Sequence, residues 1–507
     1  MGAEKCPVDS FQVVHDVKQG LHFFDGRRQN IDQSDSCGEF EVFKPSTGEV
    51  LCKCFSANKE FVNKIVEKAH KAQLEWAKLI PLERGKVLQR ASEIINDHIE
   101  ELAKAETTGN GKTLKESAAD VTGAGTTFQF YGGIAPATLK GDYFDLQNGY
   151  ISYTRYEPFG VVGCIGAWNY PFDITCRKTA PALAAGNAVI YKPSPWATNT
   201  AVILGEILKA AGLPDGLYNV LQGETETGEA LCLNPLVRRV TFTGSVGGGC
   251  AVQKSCASNG IKPVTAELGG KSPYIVFEDS CPDQATDAAI RANFMTQGQC
   301  CTNATRVFVH ESIMDKFQEV LLKKLEKMKV GDPFDENTKV GAVICGDHLE
   351  RVEGFVERAV KEGAKLLRGG KRLHPEGFEN GFYFDPAVMV NVKDDMEITK
   401  DEVFGSVMLL LPFKTEEEVI QRANDTSYGL AAGLHTNSLQ RAHRVARQLE
   451  AGNVFINSFN MQQPFVPFGG YKNSGYGKEN SEECLREFAQ IKSVYLNVEG
   501  EIPHILN

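Results

Sequence analysis

The chain has 507 residues, of which 42% are hydrophobic and 23% charged, and its formal net charge is −11. This composition is ordinary for globular proteins and excludes a disordered or fibrous chain, while the length favours two or three domains. The acidic balance, together with the lack of a dense Lys/Arg block, argues against a nucleic-acid partner.

Neither a membrane span nor a secretion signal is expected. The longest apolar runs, Val161–Trp168 and Val407–Phe413, are far shorter than the roughly 18–20 residues that a membrane helix needs. The N-terminal segment 1–11 lacks the apolar core of a signal peptide. The 14 cysteines are too sparse for a disulfide scaffold. We therefore expect a reduced, cytoplasmic protein without a membrane partner.

Helices come first along the chain, and strands then alternate with helices. Apolar residues recur at helical spacing from Phe61 to Trp76, and a second helical stretch runs from Pro81 to near Gly109. Beyond residue 160, strands are predicted at 161–167, 188–191, 217–221, 240–242 and 261–265, with helices from 171, at 199–211, at 225–232 and after 245. This alternation predicts a doubly wound parallel sheet.

A second alternating series occupies residues 267–470 and predicts a second α/β domain. Its predicted helices are 282–297, 311–328, 346–362, 414–424 and 437–449, and its predicted strands lie near 304–309, 384–390, 405–412 and 453–457. The segments 366–381 and 464–477 are rich in Pro and Gly and are predicted as loops. Tyr150–Arg155 and Val494–Val498 alternate polar with apolar residues, which predicts two half-buried strands.

Several common motifs are absent. The Gly-Lys pairs at 111–112 and 270–271 lack the upstream glycine of a P-loop, because Glu106 and Thr265 stand at that position. The ten histidines show no zinc-binding spacing, and the Gly-x-Ser-x-Gly motif of serine hydrolases is missing. We therefore expect neither a metal site nor a serine nucleophile.

Four glycines, at 244, 247, 248 and 249, follow a predicted strand and open a predicted helix. Backbone amides at such a junction attract a phosphate group. The order of the glycines differs from the Gly-x-Gly-x-x-Gly fingerprint, so a simple tight turn is the alternative. Lys192 follows another predicted strand, at the position where parallel sheets place ligands, and it favours the nucleotide interpretation.

Two adjacent cysteines, Cys300 and Cys301, follow a helix that is predicted to end near Gly298. A loop position exposes a thiol to a substrate, although paired cysteines are more often small buried hydrophobic residues. Glu267 lies just beyond the predicted strand Ile261–Thr265, and the glycines that follow permit a sharp turn. This turn would direct the carboxyl group into a cavity.

Five segments, in this order and at this spacing, make residues 40–500 resemble the NAD(P)-dependent aldehyde dehydrogenases. They are Trp168-Asn169-Tyr170-Pro171-Phe172, the Glu267 segment 266–272, the Cys301 segment 294–303, Glu402-Val403-Phe404-Gly405, and Pro467-Phe468-Gly469-Gly470-Tyr471-Lys472. Residues 163–172, 192–195 and 260–265 most resemble the branch that oxidises trimethylaminobutyraldehyde and betaine aldehyde.

The resemblance implies a covalent mechanism in which Cys301 is the nucleophile and Cys300 occupies a variable position. Asn169 would donate its amide to the developing oxyanion, and Glu267 would act as general base. Glu479 and Lys178 match a carboxylate and a lysine that stand behind the catalytic pair. A solvated charge at the start of a helix is the alternative for Glu479.

The resemblance also implies a dinucleotide cofactor. The residues expected to contact it are Trp168, Lys192, Ser194, Gly244, Ser245, Leu268, Glu402 and Phe404. Many NAD-preferring relatives carry a Glu three residues after the lysine, where this chain has Pro195. NAD is the expected cofactor, and NADP stays open.

The residues expected to meet the aldehyde are Tyr170, Asp173, Met295 and Phe459. Asn169, Asp173 and Arg177 are spaced four apart, so they share one stripe of a regular helix. Our hypothesis is that Asp173, with Trp168 and Tyr170, recognises a quaternary ammonium group by charge and cation–π attraction. The alternative is a surface ion pair between Asp173 and Arg177.

The implied architecture has three parts: a Rossmann-like cofactor domain, an α/β catalytic domain and a small β oligomerisation element. Their predicted ranges are 1–139 with 157–266, then 267–483, and finally 140–156 with 484–500. Exposed strands with a half-apolar face tend to pair with another chain, so we expect a homodimer or a homotetramer.

The expected activity is oxidation of an aldehyde to its carboxylic acid with NAD, and an amino- or trimethylamino-aldehyde is the favoured substrate class. A broad-specificity aliphatic enzyme, a CoA-acylating enzyme and a catalytically silent, crystallin-like relative are the alternatives. Glu267 argues against CoA acylation, because no hydrolytic base is needed there. The physiological aldehyde, and whether Cys300 and Cys301 form a regulatory bond, stay open.

Overall fold

The computed structural model describes residues 11–13 and 19–500, so residues 1–10, which bear on the predicted lack of a signal peptide, lie outside it. In the described ranges the helices are α1 (Lys59–Trp76), α2 (Pro81–Asp97), α3 (Ile99–Asn110), α4 (Leu114–Thr138), α5 (Pro171–Ala184), α6 (Asn199–Ala210), α7 (Thr225–Leu233), α8 (Val246–Ser258), α9 (Pro282–Phe294), α10 (Met314–Leu325), α11 (Gly346–Lys361), α12 (Glu397–Lys400), α13 (Glu416–Asn424), α14 (Leu439–Ala446) and α15 (Ser481–Glu487). No helix of these residues is long and apolar enough to cross a membrane.

The strands of the same ranges are β1 (Gln19–Gly20), β2 (His22–Phe24), β3 (Arg27–Gln29), β4 (Ser36–Phe43), β5 (Val50–Ala57), β6 (Tyr143–Asp145), β7 (Tyr150–Pro158), β8 (Val161–Ile165), β9 (Ala188–Lys192), β10 (Tyr218–Val220), β11 (Val237–Thr243), β12 (Val264–Glu267), β13 (Pro273–Val276), β14 (Arg306–His310), β15 (Lys365–Arg368), β16 (Arg372–Leu373), β17 (Tyr383–Phe384), β18 (Ala387–Val390), β19 (Val407–Phe413), β20 (Ala431–His435), β21 (Asn453–Ile456), β22 (Gly475–Tyr476) and β23 (Ala489–Asn497). They form two large sheets and three small ones.

The first large sheet has the order β22-β12-β11-β8-β9-β10-β2-β3. Its five central strands, β12 to β10, run parallel, and antiparallel strands close both edges. The central strands β8 and β9 are buried along their whole length, because helices cover both faces of a parallel sheet. This sheet corresponds to the predicted doubly wound sheet.

The second large sheet has the order β15-β18-β19-β14-β13-β20-β21, and only the β15–β18 pair is antiparallel. Two separate hydrophobic clusters pack on it, one built on α11 and α13 and the other on α9 and α10. The strands β13 and β20 were not expected from the sequence, because they are apolar runs of only four and five residues. The two sheets confirm the α/β class, whereas the domain boundaries stay predictions.

A small antiparallel sheet, β23-β7-β6, joins the two predicted half-buried strands. β23 pairs with β7 along nine residues, from Ala489 opposite Pro158 to Asn497 opposite Tyr150. Large side chains stay exposed on it, notably Phe144, Ile491 and Tyr495, which the strand register places on one face. The sheet therefore presents an apolar face that the described residues of one chain leave uncovered.

Helix α4 crosses α2 at a pair of glycines. A Cβ atom on Gly85 would lie 2.3 Å from the carbonyl oxygen of Gly132, so any side chain there would force the helices apart. The four glycines and the proline inside α4 obscure its helical pattern, which explains why this 25-residue helix is not apparent from the sequence.

Several predicted boundaries are wrong. The helical stretch after Pro81 breaks at His98, where the backbone leaves the helical region between α2 and α3. The strand predicted at 261–265 starts three residues later, because Ile261 is fully exposed, and Glu267 is therefore the last residue of β12. The predicted loops 366–381 and 464–477 contain the short strands β16 and β22, and β15 overlaps the first of them.

Candidate active site

A cavity of about 600 Å³ opens where β8, β11 and β12 end. Ligands of parallel sheets bind at this place, outside the carboxyl ends of the strands. All but four of the predicted site residues line the cavity: Trp168, Asn169, Tyr170, Asp173, Gly244, Ser245, Glu267, Leu268, Met295, Cys301, Glu402, Phe404 and Glu479. The fold therefore brings predicted site residues together that are up to 311 positions apart in the sequence.

The cysteine loop begins where α9 ends and the backbone turns into an unusual conformation. Thr296 and Gln297 have φ values of +50° and +57°, in the left-handed region that non-glycine residues rarely adopt. The Asn303 side chain fixes this turn by donating from Nδ2 to the carbonyl oxygen of Gly298 at 2.8 Å. The amide of Ile344 donates to Oε1 of Gln299 at 3.0 Å. Side chains thus hold the loop in a conformation that the local sequence does not favour.

Gly298 ties this loop to the segment that contains Glu402. Its φ is +70°, and a Cβ atom there would lie 2.1 Å from the backbone of Gly405. Only glycine fits such a close approach of two backbones. The contact places the cysteine loop directly against the Glu402–Gly405 segment.

The two neighbouring thiols differ in their surroundings. Both line the cavity, but Cys300 is buried, with its Sγ 3.1 Å from Oγ1 of Thr302, whereas Cys301 is half-buried. A hydrogen bond between the thiols lowers the pKa of Cys300 and raises that of Cys301. Because one thiol stabilises the thiolate of the other, the first proton is lost from the pair as a unit.

Asn169 stands beside the cysteine loop, just before α5. Its Nδ2 donates to the carbonyl oxygen of Gln299 at 3.0 Å, which uses one of the two amide hydrogens. Asn110 supports the turn by donating to the carbonyl oxygen of Trp168 at 2.7 Å. The second amide hydrogen of Asn169 is available to a group in the cavity.

Glu267 presents a buried carboxyl group to the same cavity. The residue is 4% exposed, and neither carboxyl oxygen has a hydrogen-bond partner among the described residues. Burial raises the pKa of Glu267 well above its usual value, and the nearby charge of Glu479 raises it further. A Cβ atom on Gly469 would lie 2.7 Å from Oε1, so the glycine makes room for this carboxyl.

Behind Glu267 lies a buried ion pair. The Nζ of Lys178 is 2.6 Å from Oε1 of Glu479 and donates to Oγ1 of Thr241 at 2.8 Å. Lys178 does not line the cavity, whereas Glu479 does. The alternative of a solvated charge for Glu479 is therefore wrong, because the side chain is buried and paired.

At the other end of the cavity, Gly244 and Ser245 connect β11 to α8. The Ser245 hydroxyl caps the helix by accepting from the amide of Gly248 at 3.1 Å. No atom lies within 4 Å of a Cβ position on Gly247, so the first turn of the helix faces open space. This N-terminus fits a dinucleotide pyrophosphate, which the exposed amides and the helix dipole would attract.

Helix α11 holds the segment 402–404 against the cavity. Arg351 donates to the carbonyl oxygens of Glu402 and Val403 at 2.8 and 2.9 Å, and the carbonyl oxygen of Phe404 lies 2.7 Å from Nε2 of His348. Phe404 has a φ of +60° and packs edge-on against Trp168 at 5.2 Å. Burial lowers the pKa of His348 to about 4, so the ring is neutral and donates to that carbonyl.

The Glu402 carboxylate is positioned by neighbouring glycines. Its Oε1 accepts from the amide of Gly270 at 2.9 Å, and a Cβ atom on Gly269 would lie 2.2 Å from Oε2. Burial raises the pKa of Glu402 to about 7. A carboxylate at this place can accept hydrogen bonds from ribose hydroxyls.

Asp173 and Arg177 do form an ion pair, at 2.8 Å, but the pair lies on the cavity wall and Asp173 is only 7% exposed. The alternative prediction, an ion pair on the surface, is therefore wrong about the exposure of Asp173. Burial raises the pKa of Asp173 to about 6. Two further cavity residues, Asp120 and Gln462, approach the same region.

The two aromatic rings that the hypothesis assigned to the quaternary ammonium group, those of Trp168 and Tyr170, have other contacts. The Trp168 ring packs on His348 and Phe404, towards the Glu402 segment. The Nζ of Lys112 lies 4.1 Å from the Tyr170 ring centroid and pairs with Asp120 at 2.6 Å. The structure therefore does not favour an aromatic cage built from these two rings.

Three other predicted contact residues lie away from the cavity wall. Phe459 was wrongly assigned to the aldehyde: it is 1% exposed and packs in the core against Tyr274 and Phe455. The side chain of Phe459 belongs to the core because the chain turns towards the cavity only after this residue. The next residue, Asn460, lines the cavity instead. Lys192 and Ser194 follow β9, beyond the cavity as outlined by its lining residues.

Several lining residues were missed by sequence reasoning. They are Asp120, Trp196, Arg291, His348, Arg351, Asn460, Gln462 and Phe468. Asp120 lies on α4, which was not predicted, whereas Phe468 lies inside a recognised motif and was open to prediction. In residues 11–13 and 19–500, no group of three or more His, Cys, Asp or Glu could hold a metal ion.

The fold and this cavity define a two-sheet α/β protein with a thiol and a carboxyl at one ligand site. The aldehyde dehydrogenase family profile matches residues 31–494. The 4-trimethylaminobutyraldehyde dehydrogenase A of Danio rerio is 46% identical over 484 residues, covering 95% of this chain and 94% of that protein. The Homo sapiens 4-trimethylaminobutyraldehyde dehydrogenase is 45% identical over 480 residues, covering 94% and 96%.

A solved structure supports the same relationship. The betaine aldehyde dehydrogenase from Staphylococcus aureus in complex with NAD⁺ has a TM-score of 0.92 and 33% identity, covering 96% of this chain and 97% of that one. The chain belongs to the aldehyde dehydrogenase family. The predicted fold class, family and aldehyde oxidation are thereby confirmed, whereas the role of each site residue stays a prediction.

Proposed function

We propose that this enzyme oxidises aldehydes to carboxylic acids with NAD through a covalent intermediate on Cys301. One observation supports this assignment above all others: the Cys301 thiol and the otherwise unpartnered Glu267 carboxyl line the same cavity. A nucleophile and a base at one site are the parts that acyl-enzyme chemistry requires.

The reaction begins when the Cys301 thiolate adds to the aldehyde carbon and forms a thiohemiacetal. The former carbonyl oxygen then carries negative charge. Asn169 stabilises this charge with its free amide hydrogen, joined by the backbone N–H of Cys301. Loss of one such donor typically costs about 10²–10³ in rate.

The cofactor residues act by positioning. When bound, NAD supplies a hydride acceptor, so that the thiohemiacetal becomes a thioester. The first turn of α8, with Gly244 and Ser245, would receive the pyrophosphate, and Glu402 would accept a hydrogen bond from the nicotinamide ribose. Phe404, whose position Trp168 and the left-handed backbone fix, would pack near the nicotinamide ring.

Hydrolysis of the thioester releases the acid and restores the thiol. The Glu267 carboxylate accepts a proton from a water molecule as the water attacks the thioester carbon. The Lys178–Glu479 pair helps to set the proton affinity of this carboxyl, because the Glu479 charge opposes that of Glu267 while Lys178 favours it. Without Glu267 the acyl group would remain on Cys301.

The substrate class we propose is an amino- or trimethylamino-aldehyde. Four buried carboxyls, those of Glu106, Glu116, Asp120 and Asp173, interact with two cations, Lys112 and Arg177. An excess of carboxyls favours a positively charged substrate. The relatives from Danio rerio and Homo sapiens, at 46% and 45% identity, are named 4-trimethylaminobutyraldehyde dehydrogenases, which supports the same class.

Replacing Asp173 by Asn is expected to lower kcat/KM for 4-trimethylaminobutyraldehyde about tenfold relative to hexanal. The charge that attracts the ammonium group is lost, and Arg177 is left without its partner. Steady-state kinetics with both aldehydes, at a pH above 7 where Asp173 is ionised, measure the ratio. An unchanged ratio would contradict the role of Asp173.

The activity itself is tested by NADH formation at 340 nm with a panel of aldehydes, together with identification of the carboxylic acid. We expect turnover that iodoacetamide abolishes. A CoA-acylating enzyme would instead make the acyl-CoA only when CoA is added, and a silent relative would bind NAD without turnover. Activity that is indifferent to alkylation would exclude the cysteine mechanism.

We also propose a homodimer or homotetramer in the cytoplasm, built through the β23-β7-β6 sheet. The exposed Phe144, Ile491 and Tyr495, which share one face of the sheet, support this interface, because uncovered apolar strands tend to associate. The 13 cysteines of the described ranges are all free thiols, as expected in a reducing compartment. Sedimentation velocity and cell fractionation test the two proposals; a monomer, or a secreted protein, would refute them.

A further inference from the structure

Two charged residues follow neighbouring parallel strands on the cofactor side of the first sheet. Lys192 ends β9, and Glu224 follows β10 by four residues. The strands pair in register, with Val220 opposite Tyr191, and the amide of Leu221 continues the ladder by donating to the carbonyl oxygen of Tyr191 at 3.0 Å. Lys192 and Glu224 therefore emerge at the same edge of the sheet.

The Lys192 side chain lies along the first turn of α7, at whose N-terminus Glu224 stands. A Cβ atom on Gly228 would be 3.5 Å from Cδ of Lys192. Lys192 is 6% exposed, and its Nζ donates to the carbonyl oxygen of Pro193 at 3.1 Å. Burial lowers the pKa of Lys192 to about 8, and the charge of Glu224 opposes this shift. The two groups thus interact electrostatically.

Glu224 has no structural task that explains its position. Its side chain does not cap α7, and no hydrogen bond or ion pair engages its carboxylate within the described ranges. The residue is exposed, whereas the adjacent Lys192 is buried. An acidic side chain just after a strand of such a sheet commonly accepts from the ribose hydroxyls of a dinucleotide.

We propose that Glu224 accepts a hydrogen bond from the adenosine ribose and repels a 2′-phosphate, so that it selects NAD over NADP. This inference rests on the proposed NAD-dependent activity. Pro195, which stands where many relatives carry an acidic residue, cannot perform this task. Glu224 would supply the missing carboxylate from the next strand rather than from the loop after Lys192.

A competing explanation is a favourable interaction between Glu224 and the dipole of α7, without any ligand. It predicts a change in stability but no change in the choice of dinucleotide. Glu226 lies on the same turn and is also acidic and exposed, yet it acts on Cys37 rather than on Lys192. Glu226 therefore offers a matched control.

The experiment measures dissociation constants of NADH, NADPH and 2′-deoxy-NADH by nicotinamide fluorescence, for the wild type, Glu224→Gln, Glu224→Ala and Glu226→Gln. We expect the wild type to bind NADH at least tenfold more tightly than either analogue. In Glu224→Gln the preference over NADPH should fall at least tenfold. In Glu224→Ala the 2′-hydroxyl should cease to matter, so that NADH and 2′-deoxy-NADH bind alike. Glu226→Gln should match the wild type.

Preferences that persist in both Glu224 variants would overturn the inference, as would an equal change in Glu226→Gln. A wild type that binds NADH and NADPH equally, while still oxidising aldehydes, would refute the role of Glu224 and leave the proposed function intact. A wild type that binds neither dinucleotide would refute the proposed function itself. Thermal unfolding of each variant separates these outcomes from simple loss of the fold.

Discussion

Replacing Glu267 by Gln is expected to stop the enzyme at the thioester and to lower steady-state turnover by about 10²–10⁴-fold. Cys301 and Asn169 are unchanged in this variant, so a burst of one NADH per active site should remain. The reason is chemical: an amide of the same shape cannot take a proton from water. Stopped-flow absorbance at 340 nm measures the burst, and mass spectrometry detects the acyl-enzyme.

The same carboxyl sets the direction of the pH dependence. Burial and the Glu479 charge raise the pKa of Glu267, so its carboxylate form increases with rising pH and hydrolysis should accelerate. In Glu267→Gln this dependence should vanish from the steady-state rate. Glu206→Gln changes a carboxyl on α6 that pairs with Arg28 and does not line the cavity, and it should retain most of the activity. Full turnover by Glu267→Gln would contradict the assignment.

Replacing Cys301 by Ser should lower turnover by about 10⁴-fold or more, whereas Cys300→Ser should change it by less than about tenfold. A serine hydroxyl is a far weaker nucleophile than a thiolate. Cys300 also lines the cavity, but it is only 7% exposed and its thiol contacts Thr302. Initial rates, together with active-site titration by a thiol-specific alkylating agent, measure both effects.

This pair of variants also tests how the thiols share their protons. Cys300 bears the lowered pKa, although Cys301 is the proposed nucleophile. Cys300→Ser should therefore shift the pH profile of alkylation at Cys301, because its hydrogen-bonding partner has changed. The opposite result, with activity lost in Cys300→Ser and kept in Cys301→Ser, would reverse the assignment.

The parallel sheets were predictable because their strands are short apolar runs between helical segments. Helix α4 was not, since its glycines serve a close crossing with α2 that only the folded chain reveals. The strands β13 and β20 were missed for a related reason: they are recognisable only as the partners of β14 and β21. Local sequence patterns therefore predicted the parallel sheets, whereas helix α4 and the strands β13 and β20 depend on non-local contacts.

The candidate site also has a part that the sequence predicts and a part that it does not. Cys301, Glu267 and Asn169 lie in motifs that can be recognised directly in the sequence, and the structure brings the three residues together at one cavity. The left-handed turn at Thr296 and Gln297 has no such signal, because its stabilisation also depends on a distant segment, whose Ile344 amide donates to Gln299. Phe459 was misassigned since an aromatic side chain near a motif gives no indication of the direction in which it points.

The pairing of β23 with β7 has a consequence for biosynthesis. The two strands are separated by more than 300 residues, because β23 lies at Ala489–Asn497 and β7 at Tyr150–Pro158. A nascent polypeptide cannot complete this sheet until β23 has been synthesised, long after β7. Chains that terminate early would lack the strand altogether and would leave β7 with an open edge, so prematurely released copies should be recognisable to the cell's proteolytic machinery.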